Sequence, residues 1–438
     1  MKHSLAFTLF LLLFHITKAQ LVPLDINLVP GLGTAGLNHD ERRNVIAINL
    51  FSGYSDRTLL LQLSGINGNN RTLSRGLHIA GIANITGANL ASIDKDYKES
   101  LLGTVHMQGI QIGGLVNLVR GDVSGAQISS VFNMSEKEMV GIQLAGLANY
   151  VGSFSLGAQV GALANKTQLG LSGLQLTLGK NTVGAEMSGL QVGLFNEAYN
   201  IEGKNSTVKD RSGVQIGMIN KATKLFGFQI GLFNIAQQSG GTQIGLINLY
   251  KPNPIKGNTL DGTAIGLINI GDFVSLSAYA DEMFRLNYEI STGNMKNGKA
   301  IRVKWNKYVV NALSYSHDPG INHSYGIGYS LKKLYFNRSN TPNMTETKFF
   351  GYAFDFKMIK KDEIEIKDMK VLVSGFNIIL GHRVIPKLSG VNAFLSVGQK
   401  IAWGRNYEPE NPLFITDATL FNKHIKTWTG VSLGLMLH

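Results

Sequence analysis

Glutamine and asparagine recur in this chain at a regular spacing, and their amides could carry hydrogen-bonding chemistry. Carboxamides donate and accept hydrogen bonds, but they neither exchange protons readily nor act as nucleophiles. Amides repeated at one spacing are typical of a structural ladder, in which each side chain bonds to its equivalent in the next copy. The predicted ladder residues are Gln111, Gln127, Gln143, Gln159, Gln175, Gln191, Gln215, Gln229, Gln243, Asn117, Asn133, Asn149, Asn165, Asn181, Asn196, Asn220, Asn234 and Asn248.

Residues that could form a catalytic or metal site are sparse by comparison. The His residues include no His-Glu-x-x-His pair, and His317 and His323 flank a Pro-Gly turn at a spacing that does not suit a metal ion. The sequence contains no Gly-x-Ser-x-Gly elbow, phosphate-binding glycine loop or dinucleotide fingerprint. We therefore expect no catalytic residues, no metal ion and no cofactor. The enzymatic alternative is a β-helix enzyme acting on polysaccharides, which would need acids projecting from long coils.

The amides belong to one recurring phrase, Gly-x-Gln-[Ile/Val/Leu]-Gly-Leu-x-Asn. Successive Gln residues are 16 apart from Gln111 to Gln191 and 14 apart from Gln215 to Gln243. Apolar residues alternate with Gln and Gly within each copy, which predicts β-strands. The longer copies contain one extra residue, as in Gly113-Gly114, and this predicts a β-bulge.

Two architectures fit this period. In a β-solenoid each copy is one coil, and equivalent residues stack about 4.8 Å apart. In one large up-and-down outer-membrane β-barrel each copy is a strand and its turn, because a crossing strand takes about 9 to 11 residues. Antiparallel strands would bring identical positions together only near mid-strand, so the residue-for-residue repetition favours the short-coil solenoid. The large barrel is the alternative.

Composition and the N-terminus indicate an exported protein. The 438 residues include 51 Gly, 9 Pro and no Cys, without collagen's every-third-residue glycine. Residues 1–19 contain Lys2, an apolar run from Leu5 to Phe14 and small residues before Gln20, which predicts a secretory signal peptide. We expect a lead-in segment over residues 20–58, the repeat array over 59–272 and a separate C-terminal domain over 273–438.

The C-terminal domain has different chemistry from the array. Residues 285–438 hold 21 Lys and Arg against 11 Asp and Glu, which accounts for most of the net charge of +12. From Phe350 to Met358, large apolar residues alternate with small or polar ones, as in a barrel strand that faces lipid. About eight strands fit this domain, which predicts an antiparallel β-barrel. A soluble sandwich or barrel with one apolar face is the alternative, and His438 departs from the aromatic final residue usual in outer-membrane barrels.

The positive charge could suggest nucleic-acid binding, but the basic residues are interleaved with acidic ones and accompany no nucleic-acid-binding motif. We therefore expect no nucleic-acid partner. Lys and Arg near anionic lipid head groups are the better explanation of the charge, and outer-membrane lipid is the expected partner.

The array resembles the surface-repeat proteins of Bacteroidetes-type and spirochaete cell envelopes. The resemblance is carried by the repeated phrase, by Val29-Pro-Gly-Leu-Gly-Thr34 and by Asn49-Leu-Phe-Ser-Gly-Tyr54, and it covers about 60% of the chain. It implies a location in a Gram-negative cell envelope, at the outer membrane or surface, and implies no particular activity. The C-terminal domain is similar to outer-membrane barrels in pattern only.

These observations predict a non-enzymatic cell-envelope protein with a structural or surface-interaction role. The alternative is a secreted or periplasmic solenoid that binds a glycan or protein along its ladder face, helped by Phe195, Phe228 and Phe233.

Overall fold

The structure is a computed structural model, and it describes residues 21–34, 42–88, 104–201, 213–252, 262–271, 273–296, 305–317, 325–337, 348–360, 371–384, 391–403, 413–420 and 423–437. The predicted signal peptide and His323 lie outside these residues. The chain divides into two compact units, Met1–Asn220 and Lys221–His438.

Every regular element in the described part of the chain is a β-strand. The strands are β1 Leu21–Val29, β2 Leu32–Gly33, β3 Arg43–Asn49, β4 Ser52–Ser64, β5 Asn67–Ala80, β6 Ala83–Thr86, β7 His106–Gly113, β8 Val116–Val119, β9 Asp122–Ser129, β10 Phe132–Ser135, β11 Met139–Ala145, β12 Ala148–Val151, β13 Ser155–Gly161, β14 Ala164–Thr167, β15 Leu171–Leu176, β16 Lys180–Glu186, β17 Leu190–Val192, β18 Phe195–Ile201, β19 Val214–Leu225, β20 Phe228–Ser239, β21 Thr242–Pro252, β22 Thr263–Ile270, β23 Phe273–Asp281, β24 Leu286–Lys296, β25 Trp305–His317, β26 Tyr325–Asn337, β27 Lys348–Lys360, β28 Val371–Arg383, β29 Val391–Trp403, β30 Leu413–Leu420 and β31 Lys423–Leu437. No helix in these segments has the length and apolar character to cross a membrane.

The first unit is a β-solenoid of stacked parallel strands. In the 16-residue copies each coil contributes one Gln-bearing strand and one Asn-bearing strand, and equivalent strands of successive coils pair in register. Gln143 therefore stands beside Gln159, and Asn149 beside Asn165. The predicted solenoid is confirmed, and the alternative of one large barrel is wrong because its neighbouring strands would be antiparallel.

Glycine occupies tightly packed positions in the 16-residue coils. Gly141 has a φ of 134°, and a Cβ atom placed on it would lie 2.0 Å from the carbonyl oxygen of Gly125 in the preceding coil. Both the backbone conformation and the close approach exclude a side chain there. The extra residue of the longer copies was predicted to form a β-bulge. It lies instead at a corner of the coil, because β7 ends at Gly113, β8 starts at Val116 and Gly114 lies between them.

The interior of the first unit is partly apolar and partly amide. Val105, Met107, Val119, Val123, Met139 and Val151 form a buried cluster. The neighbours of the ladder Gln residues point outward, and Ile128, Ile142 and Leu144 are all more than one-third exposed. The alternation of the strand thus places amides inside the coil and apolar side chains outside it.

The second unit contains three stacked parallel strands followed by a closed barrel. The strands β20, β21 and β22 pair in register, so that Asn234, Asn248 and Asn269 form one column. Eight strands, β23 to β29 and β31, form antiparallel neighbours, and β23 pairs with both β24 and β31, which closes the barrel. The ninth strand, β30, pairs with the first half of β31. The predicted antiparallel barrel of about eight strands is confirmed.

The barrel wall separates apolar from polar side chains as its sequence predicts. On β27, Phe350, Phe354, Phe356 and Met358 point outward and are 41–55% exposed, while Lys357 is buried in the interior. Inside, one apolar cluster contains Phe273, Phe336 and Phe349, and a second contains Phe284, Ile359 and Trp428. Since β27 supplies Phe349 at its start and Ile359 at its end, these clusters lie toward opposite ends of the barrel.

Candidate functional site: amide ladders and a charged barrel interior

The Gln side chains form a continuous ladder inside the first unit. Each Nε2 donates to the Oε1 of the Gln in the preceding coil at 2.7–3.2 Å, from Gln127 to Gln111 at one end and from Gln215 to Gln191 at the other. All of these Gln residues are fully buried. A buried amide of this kind needs both a donor and an acceptor partner, and the identical residue one coil away supplies each.

The Asn side chains form a second ladder that runs in the opposite direction. Asn133 donates to the Oδ1 of Asn149 in the following coil at 3.1 Å, and the same Nδ2 donates to the carbonyl oxygen of Leu144 at 2.7 Å. The equivalent pair of bonds recurs at the other Asn residues of the column from Asn117 to Asn196. The second bond ties the Asn strand to the Gln strand of the next coil, and only an amide has two N–H groups and an acceptor oxygen for these contacts.

The second unit contains the same two ladders over three strands. Gln243 donates to Gln229 at 2.9 Å, Asn234 donates to Asn248 at 2.8 Å, and Asn248 donates to Asn269 at 2.6 Å. The Gln column ends there because Ala264 stands beside Gln243 in β22. The Oε1 of Gln243 consequently has no hydrogen-bond partner.

A His residue occupies the Gln column near the start of the array. His78 pairs in register with Gln62 on one side and Gln111 on the other. Its Nε2 donates to the carbonyl oxygen of Arg75 at 2.9 Å, and its Nδ1 lies 2.8 Å from Gln62 Oε1. Burial lowers the pKa of His78 to about 4, and the hydrogen bond to the Arg75 carbonyl only partly offsets this by raising the pKa.

The buried Asp25 side chain organises the first described coil, and sequence analysis did not identify it. Asp25 accepts hydrogen bonds from Asn27 at 2.8 Å, Asn44 at 2.9 Å and Thr34 at 2.8 Å. Asn27 also donates to Asn49 at 3.1 Å. These bonds satisfy polar groups of the first coil among the described residues and would cap this end of the ladders.

The barrel interior holds a cluster of paired charges that sequence analysis did not identify. Lys400 Nζ lies 2.7 Å from Glu282 Oε1 and 3.8 Å from Asp281 Oδ2, and Lys357 Nζ lies 3.3 Å from Asp281 Oδ2. Lys332 pairs with Glu289. The three Lys side chains are 6–12% exposed and their acidic partners 2–6%. Buried charges of this kind persist only when they are paired and hydrogen-bonded.

The turn between β23 and β24 anchors the cluster. Asp281 Oδ1 accepts from the backbone N–H groups of Met283 at 3.0 Å and Phe284 at 2.7 Å. Glu282 reaches across to β31, where it accepts from Trp428 Nε1 at 3.0 Å and from the Val431 N–H at 2.9 Å. The two acids of one turn thus fix the first and last strands of the barrel together.

A small polar cavity adjoins these charges, lined by Tyr279, Asp355, Lys357, Lys400 and other side chains. Apolar clusters lie toward both ends of the barrel and Lys-carboxylate pairs lie between them, so the described side chains pack much of the interior. This arrangement suits an eight-stranded barrel, whose interior is just wide enough for side chains to fill.

The outer wall of the barrel closes the open edge of the last coil. Gly266 O on β22 accepts from Asn311 Nδ2 at 3.0 Å and from Tyr329 Oη at 2.8 Å. The backbone N–H of Asn269 donates to Thr292 Oγ1 at 3.1 Å. These three side chains lie on β24, β25 and β26, and Asn311 is only 2% exposed although it points away from the barrel interior. The contacts satisfy polar groups that a following coil would otherwise bond.

The predicted ladder residues are inaccessible from outside the coils. Those whose burial is described have at most 2% of their surface exposed, so a partner could contact only the outward side chains around them. Phe195, Phe228 and Phe233 are among these outward residues and are 37–46% exposed. Among the described residues, no three His, Asp or Glu side chains come together as metal ligands would. No family model, curated protein or solved structure matches this chain.

Proposed function

We propose that this chain is a non-enzymatic protein of a Gram-negative cell envelope, exported by its N-terminal signal peptide. In this proposal the barrel spans the outer membrane, and the amide-ladder array has a structural or surface-interaction role.

The observation that carries the proposal is the apolar outer surface of the barrel. Its outward surface carries Ile327, Ile378, Leu380, Leu433 and Leu435, each 51–64% exposed. Its interior carries the Lys-carboxylate pairs between two apolar clusters. A soluble barrel has no need of an apolar outer surface, whereas a membrane barrel must present one to lipid. Closure of the eight strands pairs both edges of that sheet, as the hydrocarbon core requires, and β30 extends it only beside the first half of β31.

The ladders support the structural part of the proposal. Their polar groups are occupied in bonds from coil to coil and are buried, so they stabilise the array and do not present a reactive surface. The array would then act through its shape and its outward side chains.

Fractionation of the mature protein tests the location. We expect it to stay in the outer membrane after an alkaline carbonate wash and, after detergent extraction, to change its gel mobility on boiling. Release into the soluble fraction would refute the membrane-spanning barrel.

A substitution on the barrel wall tests the same proposal by energetics. Ile378 lies near the middle of β28, and Arg there is expected to cost about 2–4 kcal/mol if the side chain faces the bilayer centre. If Ile378 faced water, the same substitution would change the free energy of unfolding by no more than about 0.5 kcal/mol. Urea unfolding in lipid vesicles measures the difference, with Ile378→Met as the matched control. Equal stabilities of Ile378→Arg and Ile378→Met would contradict the proposal.

A further inference from the structure

The last coil of the second unit meets the barrel wall halfway along the strands. Asn311 is the seventh of the 13 residues of β25, and Thr292 is the seventh of the 11 residues of β24. If the barrel spans the membrane as proposed, the middle of its strands lies near the middle of the hydrocarbon core. The edge of β22, which bonds to these side chains, would lie at the same depth.

The three strands that precede the barrel have a sequence suited to that depth. The segments 228–236, 242–250 and 263–270 contain no Asp, Glu, Lys or Arg. Their outward positions carry Ile230, Leu232, Ile244, Leu246 and Leu267, each 39–46% exposed. Exposed apolar rows of this kind are uncommon on a surface that faces water. The first unit carries similar outward residues, such as Ile142 and Leu144, so the feature that distinguishes these three strands is the contact of β22 with the barrel wall.

The polar groups of these strands are largely satisfied within the protein, and the buried Oε1 of Gln243 is an exception. Backbone groups pair in register between β20, β21 and β22, and the inward amides bond to one another. At the edge of β22 the barrel supplies the Asn311, Tyr329 and Thr292 partners. Only structures that satisfy their backbone internally are stable in hydrocarbon, and these coils approach that condition by stacking instead of by closing a barrel.

We propose that the strands β20, β21 and β22 lie inside the membrane beside the barrel, with their outward Ile, Leu and Phe side chains in contact with lipid acyl chains. This inference rests on the proposed membrane-spanning barrel. Lipid is the occupant that matches the observations, because the apolar rows belong to the same compact unit as the barrel's own apolar surface and carry no charge that would select a protein partner.

The absence of Cys makes the proposal directly testable in the full-length protein. A nitroxide spin label is attached to Leu246→Cys on the coil, Ile378→Cys on the barrel wall and Glu136→Cys in an exposed turn of the first unit. The proteins are refolded into phosphatidylcholine and phosphatidylglycerol vesicles. Collision rates with oxygen, which concentrates in hydrocarbon, and with a neutral nickel chelate, which stays in water, are then measured at each label.

We expect the oxygen-to-nickel ratio at Leu246 to equal that at Ile378 and to exceed that at Glu136 several-fold. A high ratio at Ile378 with a low one at Leu246 would refute the intramembrane coils and leave the barrel in place. A low ratio at Ile378 would refute the barrel itself. Low accessibility of Leu246 to both reagents would show a covering protein, such as a second copy, and would also overturn the inference. Leu267→Cys provides a second label site on the same surface if Leu246→Cys does not fold.

Discussion

Replacement of Gln143 by Met should break the Gln ladder at its centre without leaving a large cavity. Gln143 donates to Gln127 at 2.8 Å, accepts from Gln159 at 2.9 Å and is fully buried. Met has nearly the same size but offers no amide, so Gln127 Oε1 and Gln159 Nε2 would each lose their ladder partner. Leaving a buried polar atom unsatisfied costs about 1–3 kcal/mol, so the expected loss of stability is about 2–6 kcal/mol.

Two optical signals separate this effect from any effect on the barrel. All three Trp residues, Trp305, Trp403 and Trp428, follow the array in the sequence, so their fluorescence reports the barrel while far-UV circular dichroism also includes the array. In guanidinium chloride the dichroism transition of Gln143→Met should move to lower denaturant while the fluorescence transition stays in place.

Leu144→Met is the matched control, because Leu144 is on the same strand but points outward and is 38% exposed. It should change stability by no more than about 0.5 kcal/mol. If Gln143→Met is no more damaging than Leu144→Met, the ladder does not stabilise the array and the reasoning fails. Gln143→Glu should lose more stability at pH 8 than at pH 5, since only the protonated acid can donate to Gln127.

Three further predictions concern other parts of the molecule. Gly141→Ala should destabilise the array by more than about 3 kcal/mol in the same denaturation assay, because strained φ alone costs about 1–3 kcal/mol and the added Cβ meets the Gly125 carbonyl at 2.0 Å; a loss below 1 kcal/mol would contradict this. His78 binds fewer protons folded than unfolded, since its pKa falls from 6.5 to about 4, so stability should be full above pH 6.5 and fall by about 3 kcal/mol toward pH 4. Urea unfolding at a series of pH values measures this dependence, and His78→Gln should make stability less dependent on pH. If the stability of the wild-type protein rises on acidification, the prediction is wrong, and the oxygens of Gln62 and Arg75 that face the ring keep the imidazole charged. Lys400→Met should lower barrel stability, followed by Trp fluorescence, by about 3–5 kcal/mol because Glu282 loses its ion-pair partner; a change within 1 kcal/mol would show that the pair contributes little.

The array was predictable from sequence because each ladder residue bonds to the equivalent residue of the neighbouring repeat. A Gln every 16 residues specifies that Gln143 lies beside Gln159, and no other information is needed to predict the bond between them. The alternation from Phe350 to Met358 likewise predicted correctly which side chains of β27 point outward, because successive side chains of a strand lie on opposite faces.

The charged barrel interior could not be predicted in the same way. Asp281 and Lys400 are 119 residues apart, and they come together only when the barrel closes through the pairing of β23 with β31. The same applies to the contacts of Gly266 with Asn311 and Tyr329, since nothing in the sequence shows which wall the last coil meets. The extra Gly of the longer copies was placed correctly along the chain, but its role as a corner depends on the path of the whole coil.

The uniform ladder makes the number of coils an evolvable quantity. Removing 16 residues that begin at any point between Gln111 and Gln175 brings another Gln and another Asn to the same positions, so the bonds across the junction can re-form. Unequal recombination within the repeats could therefore lengthen or shorten the array in one step, provided that the Asp25 network at the start and the barrel contacts of β22 at the end are retained. Those two ends, which cannot be exchanged for an internal coil, would be the parts of the array that selection must keep.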